Sequence, residues 1–369
     1  MKRILLPIVA GFLAAYVCTA APVRIGAVYA DSGPLVPLDE PSWRGAKAAA
    51  ALANRSGQAV DLVRIPFDST AAGAAAAVRA ALARDPSIAA FVGISDSNMA
   101  LAAGREAARA KRVFVTSGAT SPLLPSQVGR GFFLACFGDN VQAAAAAEWL
   151  RRDRGAKKVC IIYNSSHIYT RLLRRYFEEA FTAAGGKVAG TSSYREGEPA
   201  PLPDGLGEAD AVFLSSETAA GAAAVIRKLR AAGFRGPVVG GDGYDSPSFW
   251  AGQPKAARDV FYTTHAFPAR EAGSASPATL LAFRGAYAGT PDSFSGLGFD
   301  AVRLVLAGLA GGKEGLAQTI QSGAPLAGVT GRIAFTRSSR VPVKPVAIVA
   351  ASNARRQLAQ VTPANVPRP

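Results

Sequence analysis

Short apolar runs alternate with longer stretches of helical periodicity along most of this chain. The runs that read as strands are 23–29, 60–67, 89–93, 112–116, 132–137, 158–163, 187–192, 211–214, 238–240 and 260–264. Their valine, isoleucine and phenylalanine content suits a pleated, buried surface. Between them, 43–54, 71–84, 99–111, 141–152, 171–184, 219–232, 277–288 and 298–311 carry the spacing of helices. Alanine dominates these segments and acts there as a helix former. Strict strand–helix alternation predicts parallel sheets with helices on both faces, joined by right-handed crossovers. Ten strands are too many for one comfortable small sheet. The pattern therefore predicts an α/β fold of two doubly wound, Rossmann-like lobes, and a length of 369 residues suits two domains. Segments 199–207 and 269–277 read as surface loops.

The first 21 residues break this pattern. Lys2 and Arg3 precede an apolar run from Ile4 to Val17, and small residues follow at 18–21. That order is the signature of a secretory signal peptide, and the run is short of the roughly 18 residues a spanning helix needs. Cleavage is expected after Ala20 or Ala21, and a periplasmic location with it. The residues before Cys18 fit a lipoprotein signal poorly. Cys136 and Cys160 would remain, each in an apolar run where cysteine serves as a small buried hydrophobe. Two cysteines make no disulfide framework, although an oxidising compartment would permit a bridge.

The formal charge is +15, falling by two with the signal. Such a value tempts a nucleic-acid reading. The positives, however, are scattered singly, as at Arg79, Arg84, Arg105 and Arg109, or gathered near the helix end at Arg151–Arg154. Cations there are favoured by the helix dipole alone. A solvated basic surface is the reading adopted, with no nucleic-acid partner.

Enzyme chemistry finds little support. Gly93-Ile94-Ser95-Asp96-Ser97 approaches a nucleophile elbow but lacks the final glycine. Ser95, Asp242 and His265 occur in hydrolase order, yet His265 sits in a strand-like run. His167 and His265 are the only histidines, and neither has the spacing of a metal ligand. No phosphate-binding or dinucleotide fingerprint follows a strand. The chain is read as a non-enzyme without metal or cofactor.

Three stretches point elsewhere. AVYADSGPLVPLDEPSWRGA (27–46) runs from a strand through a Ser-Gly-Pro turn into a helix carrying W-R-G-A. Segment 91–122 pairs a Gly-x-x-x-Ser turn with Ser-x-Ala-Thr-x-Pro one βα unit later. Segment 237–249, PVVGGDGYDSPSF, ends a strand in Gly-Gly-Asp-Gly. Strand C-terminal edges are where open α/β sheets bind ligands, and helix N-termini there offer free N–H groups. Backbone donors and two hydroxyls could hold a small carboxylate without a full counter-charge. The glycines flanking Asp242 would let backbone approach a ligand closely. The structural alternatives are that Ser97 and Thr120 cap helices and that Asp242 stabilises its own turn.

Together these stretches resemble the type I periplasmic binding proteins that serve branched-chain amino-acid ABC transporters, over nearly the whole chain after the signal. The resemblance implies two lobes closing on a ligand, with residues 22–138 and 267–338 in one and 139–266 and 339–369 in the other. It implies carboxylate and amine contacts from Ser97, Gly118 (through backbone) and Thr120. Asp242 takes the place of the acid that pairs with a ligand's α-ammonium, and Tyr169 that of an aromatic facing the cleft. Ser32, Leu38, Glu217 and Tyr244 are further cleft candidates. Leu38 stands near a commonly aromatic position, and the loop at 215–218 replaces an aromatic-bearing segment, so leucine is not assumed as the ligand. The implied function is capture of an amino acid or related amide for a membrane ABC permease. A periplasmic sensor, or a binder of an aromatic acid, urea or amide, is the alternative, and a secreted serine hydrolase is a remoter one. A monomer is expected.

Overall fold

The chain forms one parallel and one mostly parallel sheet, each wrapped by helices, and crosses between them three times. The computed structural model describes residues 21–266, 276–312, 315–352 and 357–369. Residues 1–20, which carry the expected signal peptide and Cys18, and most of the loop at 269–277 lie outside the described residues.

The first sheet is built from β1 (Val23–Ala30), β2 (Val60–Phe67), β3 (Ala90–Gly93), β4 (Val113–Thr116) and β5 (Phe132–Leu134). Its order is β2-β1-β3-β4-β5, all parallel. The connecting helices are α1 (Val36–Arg55), α2 (Ala71–Arg84), α3 (Ser97–Arg109) and the short α4 (Leu124–Val128). Side chains alternate across the sheet as the pleat requires. Ile25, Ala27 and Tyr29 enter one core, whereas Val28 and Ala30 enter the other.

The chain then passes through α5 (Asp139–Arg152), β6 (Lys158–Asn164), α6 (Ile168–Ala183), β7 (Lys187–Tyr194), β8 (Ala211–Ser215), α7 (Ala219–Ala231), β9 (Val238–Gly240), α8 (Pro247–Ala251) and β10 (Val260–Thr264). α9 (Pro277–Ala286), α10 (Ser293–Gly308) and α11 (Leu316–Ser322) follow, then a small hairpin of β11 (Leu326–Gly328) and β12 (Gly331–Ile333). Of these, α9, α10 and α11 pack into the core of the first sheet. β13 (Val346–Ala350) and β14 (Gln357–Val361) return to the second sheet, whose order is β14-β13-β10-β9-β8-β6-β7. β13 pairs antiparallel with β10, and β14 antiparallel with β13. Val159 and Ile161 face one core of this sheet, Cys160 and Ile162 the other.

Two packing details follow from small residues. α1 and α10 touch backbone to backbone: a Cβ on Gly45 would lie 1.8 Å from the Ser295 carbonyl, and one on Gly298 would lie 1.9 Å from that of Ser42. Either side chain would force the helices apart. The second detail is a repeated cap. Thr70-Ala-Ala-Gly73 and Thr218-Ala-Ala-Gly221 open α2 and α7 alike, each threonine Oγ1 accepting the glycine N–H (2.9 and 3.1 Å).

Several boundaries differ from the sequence reading, three of them with a consequence for the fold. α1 begins at Val36 instead of residue 43, with Pro37 in its first turn and Pro41 inside it. The Asp39 carboxylate accepts the Ala30 N–H at 2.8 Å, which pins this turn against the end of β1. α10 begins at Ser293, five residues early, because Asp292 and Ser295 form a reciprocal capping box. The strand at 132–137 stops at Leu134. The cysteines are free and lie in cores of different sheets, Cys136 in the first and Cys160 in the second. Among the described residues no helix is long and apolar enough to cross a membrane.

Candidate functional site

The site is assembled where strand ends of both sheets meet. At the end of β3 the chain makes a tight reversal. Gly93 has φ +131°, and a Cβ there would lie 1.9 Å from the Val28 carbonyl. Ile94 follows at φ +60°, its N–H donated to that carbonyl at 3.0 Å. A β-branched residue in the left-handed region is strained by about 1–3 kcal/mol, held here by complete burial. A nucleophile elbow strains the serine itself; here the strained residue is Ile94, one before Ser95.

This reversal delivers Ser95, Asp96 and Ser97 to a cavity between the lobes. From the side of the first sheet, Leu35, Leu38, Gly118, Thr120 and Phe294 complete the lining. Tyr169, Glu217, Asp242 and Gly243 face them from the second. The cavity is about 20 Å³, room for about one water molecule. The lobes also touch beside it: the Ile168 N–H donates to Asn98 Oδ1 at 3.1 Å, and the Asp139 N–H to the Thr120 carbonyl at 2.8 Å.

The five leading sequence candidates, Ser97, Gly118, Thr120, Tyr169 and Asp242, therefore converge on one cavity, with Leu38 and Glu217. Ser32 and Tyr244 do not line it. Ser32 is exposed at the start of the first loop, and the Tyr244 hydroxyl turns into the core to donate to the Leu214 carbonyl at 2.6 Å. Capping does not explain Ser97 or Thr120. α3 is capped by Asp96, whose side chain accepts the Met99 N–H at 2.9 Å. Ser97 Oγ instead accepts the Ser121 N–H at 3.3 Å, tying the two loops together. The Gly118 N–H is already engaged with the Ile94 carbonyl at 3.3 Å. A Cβ on Gly118 would meet Phe294 at 2.8 Å and Ser95 Oγ at 3.0 Å, so this wall requires glycine.

Three of the lining residues are acids, Asp96, Asp242 and Glu217, and none is lysine, arginine or histidine. Burial pushes the Asp96 carboxyl above the usual carboxylate range. Glu217 is half-buried and accepts from Asn164 Nδ2 at 3.0 Å.

Behind Asp242 lies a buried polar array that the sequence reading did not find. Gln142 Oε1 accepts the Asp242 N–H (3.1 Å) and the Thr263 hydroxyl (2.6 Å). That fixes the amide orientation, so Nε2 donates to Asp242 Oδ1 (2.9 Å) and Asp139 Oδ1 (3.1 Å). His265 Nε2 lies 3.0 Å from Asp242 Oδ2. Burial raises the Asp139 carboxyl well above its ordinary range, with the nearby Asp242 charge adding to the shift. The available signal was Gln142 itself, a lone polar residue heading the buried alanine run 143–147. Asp96 was read only as part of the 93–97 turn, and Phe294 lay outside every element the sequence reading drew.

The hydrolase order of Ser95, Asp242 and His265 forms no triad. His265 does meet Asp242, but no hydrogen bond joins it to Ser95.

The profile of the periplasmic binding protein family matches residues 22–356. The chain belongs to this family. Solved structures agree on its fold. A leucine binding protein, LivK, of Thermotoga maritima is 24% identical, with a TM-score of 0.81 over 92% of this chain and 99% of that one. The branched-chain amino acid transporter substrate binding protein LivJ of Streptococcus pneumoniae, in complex with isoleucine, is 22% identical. It also has a TM-score of 0.81, over 93% of this chain and 100% of that one. A solute binding protein of an ABC transporter from R. palustris, in complex with benzoate, is 19% identical with a TM-score of 0.77, over 94% and 98%. No curated protein sequence matches the chain. As a type I periplasmic binding protein fold, the molecule places its cavity where two parallel-sheet lobes face each other.

Proposed function

We infer that this periplasmic binding protein is the substrate-binding component of an ABC importer, which captures a small amino acid and presents it to a membrane permease. The lobes that close on the ligand are residues 22–138 with 267–338, and 139–266 with 339–369. The protein acts as a monomer, exported by a signal peptide at its N-terminus.

One observation carries the ligand class: the lining holds three acids and no cationic side chain. A ligand bearing an ammonium group supplies the missing positive charge, with Asp242 as its partner and Tyr169 beside it. Its carboxylate is held by the hydroxyls of Ser97 and Thr120. An aromatic acid such as the benzoate of the R. palustris relative would bring further negative charge to an acidic site. Ligand bridging both lobes stabilises the closed form through its higher affinity for that form.

A thermal-shift screen against amino acids, amides, urea and aromatic acids tests the reading. A ligand at 100 times its dissociation constant adds about 2.7 kcal/mol to native stability. Amino acids should raise the melting temperature, and their 2-hydroxy-acid counterparts should not. A shift from benzoate alone would overturn the ligand class. A fluorophosphonate probe should leave Ser95 unlabelled; labelling would favour a hydrolase.

A further inference from the structure

His265 stands at the point where the chain leaves the second sheet, and parts of both lobes pack around it. Its ring lies 3.7 Å, centroid to centroid, from that of Phe137 in the first crossing segment. Phe294, which lines the cavity, meets it edge-on at 6.2 Å. The His265 N–H donates to Ser293 Oγ at 3.3 Å. Its side chain is fully buried, and its Nε2 reaches Asp242 Oδ2 at 3.0 Å.

The proton inventory fixes how this contact works. A carboxylate only accepts, so Nε2 must carry the hydrogen. Nδ1 is buried and has no hydrogen-bond partner among the described residues. With nothing to receive a proton's hydrogen bond at Nδ1, the neutral Nε2–H tautomer is the form that fits. Asp242 thus takes two hydrogen bonds from neutral groups, Gln142 and His265. Both aim the carboxylate, and neither cancels its charge.

We propose that His265 is the positioning residue that sets specificity for an ammonium-bearing ligand: as a neutral donor it aims Asp242 and leaves its charge for the ligand. This rests on the amino-acid reading above. A proton added at Nδ1 would turn His265 into an internal cation that competes with the ligand's ammonium. Ligand affinity and that protonation are therefore linked, each opposing the other.

The charged and titratable groups facing His265 are Asp242 and Asp245 after β9 and Lys344 before β13. Burial holds the imidazole below its ordinary value, against the upward pull of Asp242. The affinity loss therefore falls on the acid side of about pH 6.5.

The test uses the ¹⁵N-labelled protein and L-leucine as probe. With only two histidines in the chain, long-range ¹H–¹⁵N imidazole spectra are assigned with His167→Gln. At pH 7.5 His265 should show the neutral Nε2–H pattern; an Nδ1–H tautomer or an imidazolium would overturn the proposal. By calorimetry, the L-leucine dissociation constant should rise at least tenfold between pH 7.5 and pH 4.5. His265→Gln keeps a neutral donor but cannot take the extra proton, and its constant should change less than threefold. An equal loss in both proteins would trace to the buried carboxyls of the site, Asp96 and Asp139, and overturn the proposal. No leucine heat at any pH, with the Nε2–H tautomer present, would count against the amino-acid reading and still support His265 as the neutral donor to Asp242. The spectra and the native pH profile need no substitution at 265, so they stand even where His265→Gln folds poorly.

Discussion

A Cβ on Gly241 would lie 2.2 Å from the hydroxyl oxygen of Tyr169. The same hydroxyl accepts the Gly243 N–H at 3.3 Å, so the tyrosine is held between two glycines that straddle Asp242. Gly241→Ala should push Tyr169 out of place. Overpacking of this kind costs about 1–3 kcal/mol, read by urea denaturation. Adding Tyr169→Phe removes the nearest clashing atom and should recover part of that loss; no recovery would locate the strain elsewhere.

Asp242→Asn keeps the shape of the side chain and removes its charge. Loss of a charge-assisted hydrogen bond costs about 1.5–3 kcal/mol, so amino-acid affinity should fall roughly ten- to a hundredfold. Unchanged affinity in calorimetry would remove Asp242 from the ligand's contacts.

Asp39 gives a pH signature. Full burial lifts its carboxyl to about 7, against the hydrogen bond from Ala30 that pulls it down. In the unfolded chain an aspartate titrates near 3.9. Between these values the native state holds a proton that the unfolded state has lost. The stabilisation is fully present below about pH 4 and is lost as pH rises through about 7, with a slope of up to about 1.4 kcal/mol per pH unit. Asp39→Asn should remove this component from denaturation curves taken across pH 4–8. Parallel curves for the two proteins would show that Asp39 does not titrate there.

The twin caps predict twin effects. Thr70→Ala and Thr218→Ala each delete the side chain that accepts a glycine N–H, at a cost of about 1 kcal/mol. Chemical denaturation should show losses of similar size, additive in the double variant because the caps sit in different lobes.

The alternation of apolar runs was enough to read both sheets, since parallel strands buried on both faces leave a strong signal. Boundaries failed where a distant contact overrode local preference. The helical spacing was read from residue 43, but the Asp39–Ala30 bond sets the first turn earlier. β11, β12 and β14 pair antiparallel, in a hairpin and at a sheet edge, outside the strand–helix alternation that marks the other strands. At the site, loop motifs identified Ser97, Thr120 and Asp242, because turn chemistry is local. His265 and Gln142 were not legible as partners of Asp242. Their contacts span 23 and 100 positions, and only the fold brings them together.

The glycine in W-R-G-A has a consequence for the order in which the molecule is made. Gly45 lets α1 lie directly on the backbone of α10, so the first helix synthesised is completed by one that begins at Ser293. Until that late segment emerges, the first lobe lacks one wall of its core, and α1 has only the sheet to settle on. A chain growing from its N-terminus is therefore prevented by its own connectivity from finishing either half early: the second sheet waits in turn for β13 and β14. Final compaction of both halves is deferred to the end of synthesis.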